Sequence, residues 1–125
     1  MRDYLPKSYK LPKATYYRAL YAVRDYERLN REYNIILHGT ATSDGQPHSV
    51  SPGDPSAHKA VRLAELSTTL TAIDRALQEV PEEYRKGVTD NIMYKLPYPY
   101  TASISTWSNH RRRFLYYVAK YLRIL

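Results

Sequence analysis

Cysteine is absent from the 125 residues, which removes disulfides, thiolate catalysis and thiolate zinc sites. Glycine occurs only four times, at scattered positions, so no glycine-rich phosphate loop can be assembled. No stretch approaches the roughly 18 consecutive apolar residues of a membrane helix. The opening MRDYLPKSYKLPK lacks the apolar centre of a signal peptide, and a cytoplasmic location is expected. The length suits one domain, or a small domain with an appendage, and is too short for a barrel or doubly wound enzyme. Phenylalanine and tryptophan occur once each, against 14 tyrosines. Tyrosine has an apolar body and a polar tip and suits half-buried faces. A thin helical assembly with a small interior is expected.

Acidic residues are missing from particular places. The net charge is +7. Residues 1–24 hold six Lys/Arg and one Asp, residues 25–104 hold eight Lys/Arg and eleven Asp/Glu, and residues 105–125 hold five Lys/Arg and no acid. Two basic ends flank a mildly acidic middle. Solubility does not require this segregation. It points to a polyanionic partner, nucleic acid first and an acidic membrane surface second.

The apolar spacing predicts an all-α chain. Residues 1–12 read as a basic flexible arm interrupted by Pro6 and Pro12. A helix is expected from Pro12 to Leu37, with a stripe of Tyr16, Ala19, Val23, Tyr26, Tyr33 and Leu37 widened by Leu20, Leu29 and Ile36. Glu27 with Arg31 and Arg28 with Glu32 can brace its outer face. Residues 38–53, HGTATSDGQPHSVSPG, carry no apolar face and read as a flexible loop. Asp54–Pro55 is a helix start, and the helix runs to about Val80. Its seam of Leu63, Leu66, Leu70, Ile73, Leu77 and Val80 steps by three and four, a heptad pattern that needs a partner helix. That partner is the first helix, giving an antiparallel hairpin, or a second copy of the chain. Residues 13–80 are thus two long helices joined by the loop.

Pro81 ends the seam helix, with Glu82 and Glu83 in the first turn of the next. Its expected stripe is Tyr84, Val88, Ile92 and Met93. Leu96–Tyr100 carries two prolines and excludes helix. The last helix should run from about Ser105 to Arg123, with Trp107, Phe114, Val118, Tyr121 and Leu125 turned inward. Residues 81–125 read as a small helix-turn-helix-like module.

SISTWSNHRRRF, residues 103–114, is the sharpest motif. Short polar side chains near a helix start, followed by arginines, suit a helix that meets base edges and clamps phosphates. Arg111, Arg112 and Arg113 span about 200° of the helix. One or two can therefore reach DNA while the other bonds elsewhere. A solvated basic face and a membrane-surface helix are the competing readings. In the arm, Arg2, Lys7, Lys10 and Lys13 can follow a phosphate backbone, or belong to an ordinary frayed terminus. Enzyme chemistry finds no support. His38, His48 and His58 are ten apart without a carboxylate cluster, Glu82 and Glu83 are adjacent, and no nucleophile elbow occurs. No metal, cofactor or small-molecule substrate is expected.

The order of signals in residues 54–125 resembles the RinA-like transcriptional regulators of temperate phages, a group also similar to region 4 of sigma factors. The resemblance lies in PEEYR at Pro81–Arg85, in the S-x-S-T run that leads to RRRFLYYVAK ending at Lys120, and in HKAVRLAEL and LTAIDRALQEV upstream. It implies a helix-turn-helix that binds double-stranded promoter DNA in a bacterial host and activates phage late or packaging genes. Host RNA polymerase is the implied protein partner. It maps recognition positions to Ser105, Thr106, Trp107, Asn109, His110, Arg111 and Arg113, with Arg112 and Lys120 as phosphate contacts. The family's short helix before the recognition helix has no room in LPYPYTAS. A single turn is expected instead, with Tyr98 and Tyr100 packed under the last helix. Two other functions fit: a small terminase-like subunit, which would form a ring, and a helical adaptor that binds protein without DNA.

Overall fold

The computed structural model describes residues 9–39 and 55–125. They form five α-helices and, among the described residues, no strand: α1 (Lys13–Arg24), α2 (Tyr26–Gly39), α3 (Pro55–Gln78), α4 (Glu82–Tyr94) and α5 (Ile104–Tyr121). The protein is all-α. Arg2, Lys7, Asp54 and all but the first two residues of the expected 38–53 loop lie outside the described residues; His38 and Gly39 belong to α2.

The helix expected from Pro12 to Leu37 bends at Asp25 into α1 and α2. The backbone ladder continues across the bend, with Asp25 N–H bonded to Tyr21 O at 3.0 Å and Leu29 N–H to Asp25 O at 2.9 Å. Arg28 Nε donates to Asp25 Oδ1 at 2.6 Å, and this bond holds the Asp25 carboxyl below its usual range. The bend divides one apolar stripe between two clusters. Ala19, Leu20 and Val23 enter the main core. Leu29 instead joins Leu66 and Leu70 of α3. Leu37 falls outside both and is 45% exposed, whereas its neighbour Ile36 packs against the second cluster.

α2 and α3 run antiparallel. Arg62 Nε donates to Glu32 Oε2 at 2.6 Å, and Tyr26 O–H donates to Asp74 Oδ1 at 2.9 Å. Along α3, Leu66, Leu70 and Ile73 are buried while Leu63 and Leu77 are half-buried. A second buried row, Ala72 and Ala76, has no place in a simple heptad reading. α3 packs on α5 as well as on α2, and small side chains permit close helix approach.

Arg85 Nε donates to Val80 O at 2.8 Å, capping a carbonyl at the α3–α4 junction. α4 ends at Lys95 in the left-handed region, φ 58°. Ser103 caps α5 by accepting the Thr106 N–H at 3.2 Å. At the far end Arg123 N–H bonds Lys120 O and Ile124 N–H bonds Ala119 O. This is a Schellman closure with Arg123, φ 61°, where glycine commonly sits.

α5 is the central element and packs against α1, α3 and α4. Trp107, Phe114, Leu115, Val118 and Ala119 are buried. They share one core with Val23, Ile73, Ala76, Val80, Val88 and Ile92. Residues 81–125 are therefore not a body apart from 13–80, since α1 and α3 complete the core of α4 and α5.

Candidate nucleic-acid interface

The central position of α5 decides which of its side chains face outward. At 100° per residue, Ser105, Asn109, Arg112, Tyr116 and Lys120 share one side of the helix. Ser105, Arg112 and Lys120 are exposed, and Asn109 and Tyr116 are half-buried. Trp107 lies on the opposite side at 1% exposure. It stacks on Tyr98 at 5.6 Å and meets Tyr84 edge-on at 4.9 Å. The expectation that Trp107 touches DNA is therefore corrected, because its ring is core. Tyr98 packs beneath α5 as expected, whereas Tyr100, in the turn that follows Pro99, is fully exposed.

The arginine triplet spreads around the helix as its 200° span requires. Arg111 reaches inward, its Nη1 donating to the Tyr16 hydroxyl at 2.7 Å and its Nε to Asn91 Oδ1 at 3.1 Å. It ties α5 to α1 and α4. Arg112 stands in solvent. Arg113 is half-buried, and its Nε is buried without a hydrogen-bond partner. His110 stacks on Tyr84 at 4.1 Å, and the Thr106 hydroxyl is bonded to Ser103 Oγ at 2.9 Å. Of the mapped recognition positions, Asn109 and Ser105, whose hydroxyl lies 3.3 Å from Ser103 Oγ, are on one outward stripe with the mapped phosphate contacts Arg112 and Lys120. Thr106, Trp107, His110 and Arg111 carry structural contacts.

The segment before α1 lies on this surface. The Tyr9 ring sits 5.0 Å from that of Tyr116 and 5.8 Å from that of Tyr117. Its hydroxyl shares a hydrogen bond with that of Tyr117 at 3.4 Å. That bond first, then burial, pushes the Tyr117 phenol up to about 12. Lys10 is thereby placed beside Arg112. A cleft of about 340 Å³ opens between them. Lys10, Arg111 and Arg112 supply its charge, Tyr9, Tyr16, Tyr98 and Ser108 its hydroxyls, and among the described residues no carboxylate lines it. Lys13 is exposed one turn further on.

Charge is sorted in space as it is along the chain. Neither α1 nor α5 contains an acid, and the two helices pack on each other. Lys13, Arg18 and Arg24 come from α1, and Arg111, Arg112, Arg113 and Lys120 from α5. On the acid-bearing helices three of the seven lysines and arginines form ion pairs: Arg28 with Asp25 and Glu32, Arg62 with Glu32 and Glu65, Lys86 with Asp90. Among the described residues, no cation of α1 or α5 forms such a pair. The contributions of α1, and of Tyr9 against Tyr116, are not visible in any local motif. The acid-free block of residues 10–24 is the one sequence signal that points to them.

No group of His, Asp and Glu among the described residues could hold a metal ion, and no helix is long and apolar enough to cross a membrane. The chain matches no family model, no curated protein and no solved structure with which it was compared.

Proposed function

We propose that the chain binds a nucleic acid, double-stranded DNA in the first instance, through the acid-free surface of α1 and α5. The observation that carries this reading is the acid-free make-up of those two helices, none of whose lysines and arginines forms an ion pair among the described residues, whereas Arg28, Arg62 and Lys86 of the acid-bearing helices do. A surface that leaves its guanidinium and ammonium groups without counter-ions attracts phosphates, and releases condensed cations when they bind. Lys10 and Arg112 flank the cleft and are the phosphate anchors. Ser105 and Asn109 are the side chains placed to meet base edges. Because α5 is held on three sides, only its outer stripe is offered. Phosphate contacts dominate, and sequence preference is modest.

The resemblance to RinA-like regulators extends this to a role: transcription control of phage or prophage genes, activating late or packaging genes. Electrophoretic mobility shift with the chain's own upstream genomic duplex tests the binding. Retarded duplex at low salt, weakened by Arg112→Ala and by Lys10→Ala, supports the reading. Wild-type protein that leaves the duplex unshifted at low salt refutes it.

A protein-binding reading has its own observation. Ile35, Leu37 and Val61 are 67%, 45% and 59% exposed where the end of α2 meets the start of α3. Apolar groups left open together suit a partner protein, host RNA polymerase or a second copy among them. Solution mass measurement separates a terminase-like ring from a monomer or dimer.

A further inference from the structure

A second basic groove lies on the opposite flank of α5, between α3 and the turn that closes α5. Its volume is about 710 Å³. One wall is a row on α3: Ser67, Thr71 and Arg75, four residues apart and all exposed. A four-residue step advances about 6 Å along a helix, so the row is about 12 Å long. Lys120 and Arg123 form the other wall. Among the described residues no carboxylate lines the groove. Among the described residues, no carboxylate forms an ion pair with Arg75, Lys120 or Arg123.

Two details keep these groups available. Glu79 is four residues from Arg75 on the same helical side, yet it accepts the Tyr121 hydroxyl at 2.8 Å. The Arg75 guanidinium lies over the Tyr121 ring at 4.1 Å instead, so a ring rather than an ion pair orients it. Thr68 spends its hydroxyl proton on Ala64 O at 2.9 Å. Ser67 and Thr71 are then the hydroxyl donors of that wall. Arg123 holds φ 61°, a backbone region unusual for a residue with a side chain, and its side chain joins the groove. The Lys120 and Arg123 carbonyls stand at the negative end of α5. The Arg123 and Ile124 N–H groups satisfy the preceding carbonyls there, which limits repulsion of an anion.

We infer that this groove binds the phosphodiester backbone of the same nucleic acid, as a second anchoring point across the α5 ridge from the Lys10–Arg112 cleft. Its length exceeds that of one phosphate and suits a run of them. The inference rests on the proposed function, and adds Arg75, Arg123 and the hydroxyl row of α3 to the Lys120 contact that the resemblance implies.

The test is equilibrium binding of a fluorescent duplex to the full chain between 50 and 200 mM salt. The groove variant carries Arg75→Gln, Lys120→Gln and Arg123→Gly, the last chosen because glycine preserves the closing turn. A control variant, Arg31→Gln with Lys59→Gln and Lys95→Gln, removes the same charge from other exposed positions. Each phosphate contact contributes about 0.9 to the log–log salt slope. The groove variant should lose about 2 to 3 of slope and more than tenfold of affinity at the lower salt, while the control changes the slope by less than about 1. Ser67→Ala with Thr71→Ala should weaken binding severalfold at unchanged slope. Equal slopes for wild type and groove variant overturn the groove and leave the proposed function standing. Absence of duplex binding by wild type overturns both. Inorganic tripolyphosphate is titrated separately. Saturable binding that the groove variant loses, with duplex affinity unaltered, assigns the groove to a soluble polyphosphate and overturns the backbone assignment.

Discussion

Gly87 lies against the face of the single tryptophan, and replacing it with alanine tests the packing that orients α5. A methyl carbon built on Gly87 would stand 2.5 Å from Trp107 Cζ3, 2.6 Å from Cη2 and 3.2 Å from Pro99 Cδ. Carbon atoms prefer separations of about 3.5–4.0 Å. The indole must therefore shift by about 1 Å or more. It has little room to do so, being stacked on Tyr98 and met edge-on by Tyr84. Alanine in a helix interior favours folding by about 1 kcal/mol over glycine. Overpacking in a closed core costs about 1–3 kcal/mol and occasionally more. The clash involves a rigid ring, so the upper part of that range applies. Gly87→Ala should lose about 1–2 kcal/mol net, which for a chain of this size lowers Tm by about 4–8 °C. Urea unfolding followed by tryptophan fluorescence measures this directly, since Trp107 is both reporter and obstacle. Adding Trp107→Leu should make the Gly87→Ala change neutral or favourable, a coupling that a double-mutant cycle followed by far-UV circular dichroism detects. Stability at or above wild type for Gly87→Ala alone, with unaltered emission, refutes the close-approach argument.

Other outcomes follow from the same contacts. Leu66→Ala, at 1% exposure in the cluster joining α2 to α3, should cost about 3 kcal/mol in urea unfolding. Arg123→Gly should raise stability by about 0.5–1 kcal/mol, the left-handed strain relieved less the larger unfolded-state entropy of glycine. In alkali, burial and then the Asp74 bond push the Tyr26 phenol up to about 12, and the Tyr9 bond does the same for Tyr117. Folded values above the unfolded one mean that the stabilising share is fully present below about pH 10 and is lost as pH rises from about 10 to 12. Urea midpoints should fall over that interval, and Tyr26→Phe should show a shallower fall from a lower starting point.

Several elements were legible because they depend on local chemistry. The Pro81 stop and the acids that open α4 follow from single residues and their neighbours. The seam from Leu63 to Leu77 was legible as a period, and its members are buried or half-buried. What was not legible depends on partners distant in sequence. The bend at Asp25 arises where α1 joins the core around α5 while α2 follows α3. Ala72 and Ala76 carry no apolar signal strong enough to mark a second buried row, and are buried because α5 lies along them. The spacing turned Trp107 inward, where it lies, while the resemblance had counted it among the DNA contacts; the groups that enclose it were not legible. Its ring is enclosed by Tyr84, Tyr98 and Gly87, none of which adjoins it in sequence. The charge segregation was fully legible. That the basic segments 10–24 and 105–123 would form one neighbourhood was not, because it requires α1 to pack on α5.

The most direct test of the central claim is the salt dependence of wild-type affinity for duplex DNA. With about five phosphates neutralised by the cations of the arm, α1 and α5, the log–log slope should be about −4 to −5, and binding should be readily measured at 50 mM salt. A slope near zero, or no complex at that salt, contradicts the account.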